Sequence, residues 1–193
     1  MPFISEILKH KSLSIVGMEK NTGKTECLNY IIGRLRDSGT RIAITSIGID
    51  GENVDQVTKT HKPEIEIYPG TLFTTSENHY RTRKITSEIL NISKQSTSLG
   101  RLVTARAKSR GKLIFSGPTS TMWIKDIIAE MQGYGSQLTI IDGALSRKSL
   151  GSPSVTDCMI LSTGAAVSHD ANELIRKTKF VYNLINIEAY ESP

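Results

Sequence analysis

A lysine and a threonine follow a glycine near the start of the chain, in the order Gly23, Lys24 and Thr25. An apolar run precedes this triplet, and residues with helical spacing follow it. Backbone N–H groups at such a strand–loop–helix junction bind phosphate oxygens, and the helix start adds partial positive charge. We therefore expect Lys24 to contact the β- and γ-phosphates of a nucleotide and the Thr25 hydroxyl to coordinate Mg²⁺.

The spacing of the glycines departs from the common motif, which is G-x-x-x-x-G-K-[ST]. Met18 stands where the first glycine is usual, and Gly17 comes one residue earlier, which gives G-x₅-G-K-T. The strand, loop and helix still follow in order, so the sequence predicts a site for ATP or GTP with Mg²⁺. The residues predicted to bind the nucleotide are Gly17, Glu19, Lys20, Asn21, Thr22, Gly23, Lys24, Thr25 and Glu26.

Two aspartates follow apolar segments and are candidates for the metal. Asp142 ends the run QLTIID, and Asp50 follows the run RIAITSIGI. Carboxylates and hydroxyls are the oxygen ligands that Mg²⁺ prefers. We predict Thr25, Asp50 and Asp142 as metal ligands, and Lys24 and Asp50 as the catalytic pair. A turn-capping role remains the alternative for each aspartate.

The elements around these residues alternate between strand and helix. The patterns predict a strand over 13–18, a helix over 24–38 and a strand over 41–49, which is the βαβ unit of a parallel sheet. The sequence therefore predicts an α/β fold with a mostly parallel sheet, helices on both faces and ligands at the carboxyl ends of the strands. Later elements are predicted as helices over 120–132 and 170–188 and strands over 137–142 and 158–163. The last helix is expected to turn Leu174, Ile175, Val181 and Ile185 inward.

The middle of the chain has a different pattern. Residues 64–76 read as two short extended pieces around Pro69 and Gly70, and residues 99–117 as a hairpin that turns at residues 109–111. Residues 80–97 are expected to be partly helical. The inner face of that segment would consist of Ile85, Ile89, Leu90 and Ile92. We interpret 64–117 as an insertion in one nucleotide-binding domain spanning 1–193.

Composition excludes several classes of protein. Of the 193 residues, 38% are hydrophobic and 22% are charged, so intrinsic disorder is not expected. The net charge of +5 suits a phosphate ligand without requiring nucleic acid. No apolar run approaches the ~20 residues that span a bilayer, no secretory signal is recognisable, and Cys27 and Cys158 form no metal-spaced cluster. We expect a cytoplasmic protein that binds neither membrane nor nucleic acid.

The motif and the strand-end sequence resemble those of known families. G-x₅-G-K-T and the strand-end sequence Asp142-Gly143-Ala144 are similar to the dethiobiotin synthetase branch of P-loop proteins. The strings MEKNTGKT and DGALSRKS, with TSIGIDGE, resemble the P-loop subunit of lysine 5,6-aminomutase reactivases. That resemblance implies a P-loop NTPase-like fold and a factor that uses nucleotide energy to replace damaged cobalamin. Its partner would be a second reactivase subunit or the cobalamin-dependent lysine or ornithine aminomutase, and a homodimer stays open.

Two alternatives remain beside the reactivase. A dethiobiotin synthetase-like ligase would carry a lysine inside the second strand, and none is present over 41–48. A non-catalytic nucleotide-binding scaffold would use the same loop. Glu19 stands where partitioning ATPases carry a signature lysine, and Arg147 is the nearest candidate for a γ-phosphate contact. We therefore expect hydrolysis of ATP or GTP to be slow unless a partner stimulates it. Residues 163–166 are a candidate for the nucleotide-base side of the pocket.

Overall fold

The fold is described by a computed structural model that covers residues 2–48, 64–144 and 155–187. Seven strands form one sheet in the order β5-β6-β4-β2-β8-β1-β9, and β3 and β7 form a second, two-stranded sheet. Among the described residues, none of the helices is long and apolar enough to cross a bilayer. In chain order the elements are α1 (Pro2–Ile7), β1 (Ser12–Gly17), α2 (Lys24–Leu35), β2 (Ile42–Ser46), β3 (Ile65–Ile67), β4 (Leu72–Ser76), α3 (Glu77–Arg81), β5 (Ser87–Thr97), β6 (Gly100–Ala107), β7 (Gly111–Leu113), α4 (Thr121–Gly133), β8 (Leu138–Ala144), β9 (Cys158–Ser162) and α5 (Ala171–Ile185).

The prediction of a mostly parallel α/β sheet is confirmed. Strands β4, β2, β8, β1 and β9 are mutually parallel neighbours. All six residues of β1 and all five of β2 are buried, as continuous apolar strands covered on both faces require. The topology differs in one respect from a simple βαβ unit. Strand β8 lies between β1 and β2, so these two strands are not adjacent.

Helices cover both faces of the sheet, as predicted. Successive side chains of a strand point to opposite faces. On β2, Ile42 and Ile44 belong to the core cluster that contains the inner face of α2, whereas Ala43 belongs to the cluster that contains Met131 of α4. Helices α2 and α4 therefore pack on opposite sides, and the small β3–β7 sheet lies on the α2 side through Ile65.

The middle segment shows two wrong predictions. Residues 87–97 are a strand, not a helix, and only Ile85 of the four predicted inward residues is buried. Strands occur over 100–107 and 111–113, but they do not pair with each other. Strand β6 pairs with β4 and β5, whereas β7 pairs with β3. The antiparallel hairpin is β5–β6, and Gly100, with φ of 92°, lies at its turn. Segment 64–117 thus supplies three strands of the main sheet.

The last helix packs less closely than the pattern predicted. No residue of α5 is buried. Leu174, Val181 and Ile185 are half-buried, while Ile175 is 63% exposed and so was wrongly predicted to point inward. Phe180 is also 63% exposed, so the described part of the chain covers the apolar side chains of this helix only in part.

Candidate functional site

The predicted phosphate-binding segment forms a tight loop between a buried strand and a helix. Strand β1 ends at Gly17, and α2 begins at Lys24. The turn uses the left-handed backbone region twice, at Asn21 with φ of 61° and at Gly23 with φ of 88°. Glycine adopts that region without a Cβ clash, and asparagine tolerates it better than most residues. The loop is closed by the Thr22 hydroxyl, which donates to the Glu19 carbonyl at 2.9 Å.

Gly17 lies directly beneath the side chain of Lys24. A Cβ on Gly17 would lie 2.9 Å from Lys24 Cγ and Cδ and 2.5 Å from Thr22 Oγ1. The lysine stem therefore runs back over the strand end instead of extending into solvent, and Lys24 is only half-exposed. This packing explains why a glycine is needed at position 17, one residue before the usual place. The loop residues Glu19, Lys20 and Asn21 are exposed.

The start of α2 offers donors to an anion. The first intrahelical bond of the helix runs from Cys27 N to Gly23 O at 2.9 Å, so the N–H groups before it lack intrahelical acceptors. The capping residue is Gly23, which has no side chain that can accept from them. Burial raises the pKa of the Cys27 thiol, which disfavours the nucleophilic thiolate. Thr25 is half-exposed and Glu26 exposed in this first turn.

Asp142 lies on the strand beside the loop-bearing strand. In the sheet register it is opposite Ile15 of β1 on one side and Ser46 of β2 on the other. Strand β8 continues to Ala144, so Asp142 lies two residues before its end and not at it. Its Oδ1 atom is buried. The other predicted residues, Asp50 and Arg147, fall outside the described residues.

The donor set that remains is compatible with Mg²⁺. Thr25 contributes a hydroxyl and Asp142 a carboxylate, both oxygen ligands of the kind that Mg²⁺ takes. The side-chain stem of Lys24 packs over Gly17 at the end of β1. A phosphate bound there would be a further ligand of the metal ion. We find no group of three or more His, Cys, Asp or Glu residues with metal-binding geometry in the described part of the chain. A bound cation would thus depend on the phosphates of its ligand as well as on the protein.

Two further segments lie at the carboxyl ends of the parallel strands. Residues 163–166 follow β9, and the Cβ position of Gly164 lies 4.0 Å from the Thr22 carbonyl oxygen. Met18 N donates to the Ser162 carbonyl at 3.0 Å, which ties the loop to this strand end. The sequence indicated this contact only weakly, through Thr163 and Gly164 between a strand and a helix.

Sequence reasoning missed the second segment, residues 115–118, which we call the strap. The strap joins β7 to α4 and is buried throughout. A Cβ on Gly117 would lie 1.8 Å from the Ser46 carbonyl oxygen, so the strap backbone touches the end of β2. Pro118 accepts from Gly48 N at 2.9 Å. The Gly117-Pro118 pair was the only signal in the sequence, and it indicates a turn without indicating this contact.

Four of the nine lysines and arginines of the middle segment form ion pairs with carboxylates. Ion pairs join Arg81 to Glu77 and Lys108 to Glu88, at 2.8 and 2.7 Å. Arg110 pairs with Glu66 at 2.9 Å. The Glu88 and Glu66 carboxylates have lowered pKa values, chiefly because they accept hydrogen bonds from these cations. Such interspersed surface charges are typical of a solvated face.

Three features therefore lie at the carboxyl ends of the parallel strands. They are a loop with two residues in the left-handed backbone region, Lys24 packed over Gly17, and Asp142 on the neighbouring strand. No protein-family model matches the chain, and no curated protein or solved structure is significantly similar to it. The function of this site must accordingly be argued from its geometry and from the motifs in the sequence.

Proposed function

We propose that residues 17–26 bind the triphosphate of ATP or GTP together with Mg²⁺ in a P-loop NTPase-like fold. The observation that carries the proposal is the packing of Lys24 over Gly17, with Cγ and Cδ 2.9 Å from the Cβ position. That packing directs the side-chain stem of Lys24 along the end of β1, beside the first N–H groups of α2, which lack intrahelical acceptors. A flexible surface lysine would not require a glycine beneath its side-chain stem.

Each part of the site has a distinct task in this proposal. The N–H groups at the start of α2 hold phosphate oxygens, and the helix dipole favours their negative charge. The Lys24 ammonium neutralises the β- and γ-phosphates. Thr25 and Asp142 hold Mg²⁺, which when bound offsets the charge on the phosphates. Asp50 is proposed as a further acid for the metal or for catalysis.

Calorimetric titration with ATP and GTP, with and without Mg²⁺, tests this proposal. Lys24→Ala should weaken affinity about ten- to a hundredfold, because a charge-assisted phosphate contact contributes about 1.5–3 kcal/mol. Lys179→Ala is the matched control, since Lys179 is an exposed lysine on α5. The proposal fails if the wild type binds no nucleotide, or if the two variants bind it equally well.

The resemblance supports a more specific proposal, a reactivating factor for an adenosylcobalamin-dependent lysine or ornithine aminomutase. In that role the chain would be a cytoplasmic NTPase that acts with a second reactivase subunit or with the aminomutase itself. Large apolar side chains exposed on α5 are typical of a protein-binding surface and support a partner. A partner that supplies an activating arginine raises turnover by about 10³–10⁵.

Turnover of ATP and GTP by the purified chain, alone and with each proposed partner, separates the candidates. A reactivase requires slow hydrolysis alone and faster hydrolysis with one of the partners. Brisk hydrolysis that neither partner changes would favour the ligase-like alternative. Tight binding without turnover under any of these conditions would favour the non-catalytic scaffold.

A further inference from the structure

The strap is unusual because it is a buried segment without regular secondary structure. Such segments normally run over the surface, where water satisfies their backbone groups. Here protein groups take that role. Ser116 N donates to Thr75 Oγ1 at 3.2 Å, and Thr75 Oγ1 donates to the Ile114 carbonyl at 2.9 Å. The buried polar groups of β4 therefore hold the strap in place.

The Ser116 hydroxyl is the centre of this network. It donates to Ser76 Oγ at 2.7 Å and accepts from Ser76 N at 3.0 Å. His79 Nδ1 lies 2.9 Å from the same oxygen. Because the single hydroxyl proton goes to Ser76, Nδ1 of His79 is left as the donor in this contact. Ser76 and Ser116 are fully buried, and His79 is only 7% exposed.

The strap in turn supports the end of β2 and, through it, the main chain of Asp142. Gly48 N donates to Pro118, and Gly117 packs on the Ser46 carbonyl. The adjoining residues hold the carbonyl of Asp142, to which Ser46 Oγ donates at 3.1 Å and Ile47 N at 2.9 Å. A continuous series of contacts therefore runs from the imidazole to the strand that carries the acid.

We infer that His79 and Ser116 are positioning residues for the nucleotide site, because they hold the strap that fixes the end of β2 and the main chain of Asp142. They touch no ligand in this account. Their effect reaches the metal through the placement of the Asp142 carboxylate, so the inference rests on the proposed function. Groups that orient a metal ligand typically change metal affinity or activity by about 10–100-fold when they are removed.

Helix α3, which carries His79, also contacts the antiparallel β5–β6 hairpin. Asn78 N donates to the Leu99 carbonyl at 3.2 Å, and the Cβ position of Gly100 lies 3.0 Å from Glu77 Cβ. The turn of the β5–β6 hairpin therefore rests on α3, which carries His79.

The test compares Ser116→Ala and His79→Leu with Thr104→Val in the full chain. Thr104 is a suitable control because its buried hydroxyl bonds that of Thr74 at 3.0 Å and not a strap residue. The measured quantity is the ratio of ATP dissociation constants without and with Mg²⁺. We expect the strap variants to lower this ratio about tenfold, and the control to leave it unchanged. His79→Asn, which keeps a donor near Nδ1, should restore the wild-type ratio.

Hydrogen exchange of the Gly48 amide provides a second readout that needs no nucleotide. This amide should exchange faster in Ser116→Ala and His79→Leu, but not in Thr104→Val. Unchanged exchange in the strap variants, or an equal fall of the Mg²⁺ ratio in all three, would overturn the inference while leaving nucleotide binding intact. A wild type that binds no nucleotide would overturn both proposals. If Ser116→Ala does not fold, His79→Leu alone decides, since it leaves the bonds of Ser116 with Ser76 and Thr75 in place.

Discussion

Replacing Gly17 by alanine adds one methyl group at the centre of the proposed site. The new Cβ would lie 2.5 Å from Thr22 Oγ1 and 2.9 Å from two stem carbons of Lys24. Neither neighbour moves easily, because the Thr22 hydroxyl is bonded to Glu19 and the contact on Lys24 is near the base of its side chain. The loop must shift, and with it the lysine that we expect to contact phosphate.

The expected change in the free energy of unfolding is the sum of two opposing effects. Overpacking of this kind destabilises a folded protein by about 1–3 kcal/mol. A glycine-to-alanine change also stabilises by about 0.4–1 kcal/mol, because it restricts the unfolded chain. The overlap is the larger effect, so Gly17→Ala should lower the free energy of unfolding. Since 1 kcal/mol corresponds to about 2–4 °C in a domain of this size, the melting temperature should fall by several degrees.

Gly33→Ala is the matched control for this substitution. Gly33 lies in the last turn of α2, is exposed, and has no atom of the described residues within 4 Å of its Cβ position. Alanine is favoured over glycine inside a helix by about 0.5–1 kcal/mol. Thermal unfolding should therefore shift in opposite directions for the two variants, and nucleotide affinity should fall for Gly17→Ala alone. A Gly17→Ala protein with raised stability and wild-type nucleotide affinity would contradict the proposed role of the Lys24–Gly17 packing.

Two further substitutions and one labelling experiment probe other parts of the molecule. Asp142→Asn should weaken Mg²⁺-dependent nucleotide binding with little change in melting temperature, whereas a large stability loss with normal binding would favour a structural role. Asp157→Ala should lower the free energy of unfolding by about 1–2 kcal/mol in chemical denaturation, because the exposed Asp157 carboxylate accepts from Lys11 N and Ser12 N at 2.9 and 3.0 Å; nucleotide affinity should not change. Burial, with a contribution from Asp157, raises the pKa of the Cys158 thiol to about 11. Alkylation followed by mass spectrometry should therefore stay slow until the pH approaches that value, and stability should fall above the ordinary thiol pKa because the unfolded chain loses its proton first; rapid labelling of the native protein near pH 8 would contradict this.

Local patterns were sufficient where one face of an element decides its structure. The helix after the loop was predicted from helical spacing over 24–38, and the apolar residues that follow this spacing, Leu28, Ile31, Ile32 and Leu35, are the buried residues of α2. Strand β1 was predicted from an apolar run ending at a glycine. In such segments burial, spacing and the turn residues agree with one another, so the sequence alone is informative.

Patterns failed where long-range pairing decides the structure. The apolar residues Ile85, Ile89 and Ile92 fit a helix, but β5 is an edge strand whose ladder shifts at Ile89/Asn91 and again at Ile92/Ser96. These irregularities break the period of two that would have revealed a strand. Likewise, β7 pairs with β3 across more than 40 residues of chain, and no turn signal reports such a partner.

The candidate site was predictable as a loop but not as an assembly. Gly23, Lys24 and Thr25 carry a local signal, because their order determines the junction of strand and helix. The strap carries none, since the contacts of Ser116 with His79 and Ser76 join distant parts of the chain. Side-chain hydroxyls are common throughout the sequence, and only the fold selects the few that meet at the carboxyl end of β4.

Amide chemical shifts of the full chain during titration with Mg-ATP and Mg-GTP test the central claim most directly. The account predicts saturable changes concentrated in residues 17–26, with smaller changes at Asp142 and Gly164, and their loss in Lys24→Ala. The absence of any saturable change, or changes confined to another part of the sheet while residues 17–26 stay unaffected, would contradict it.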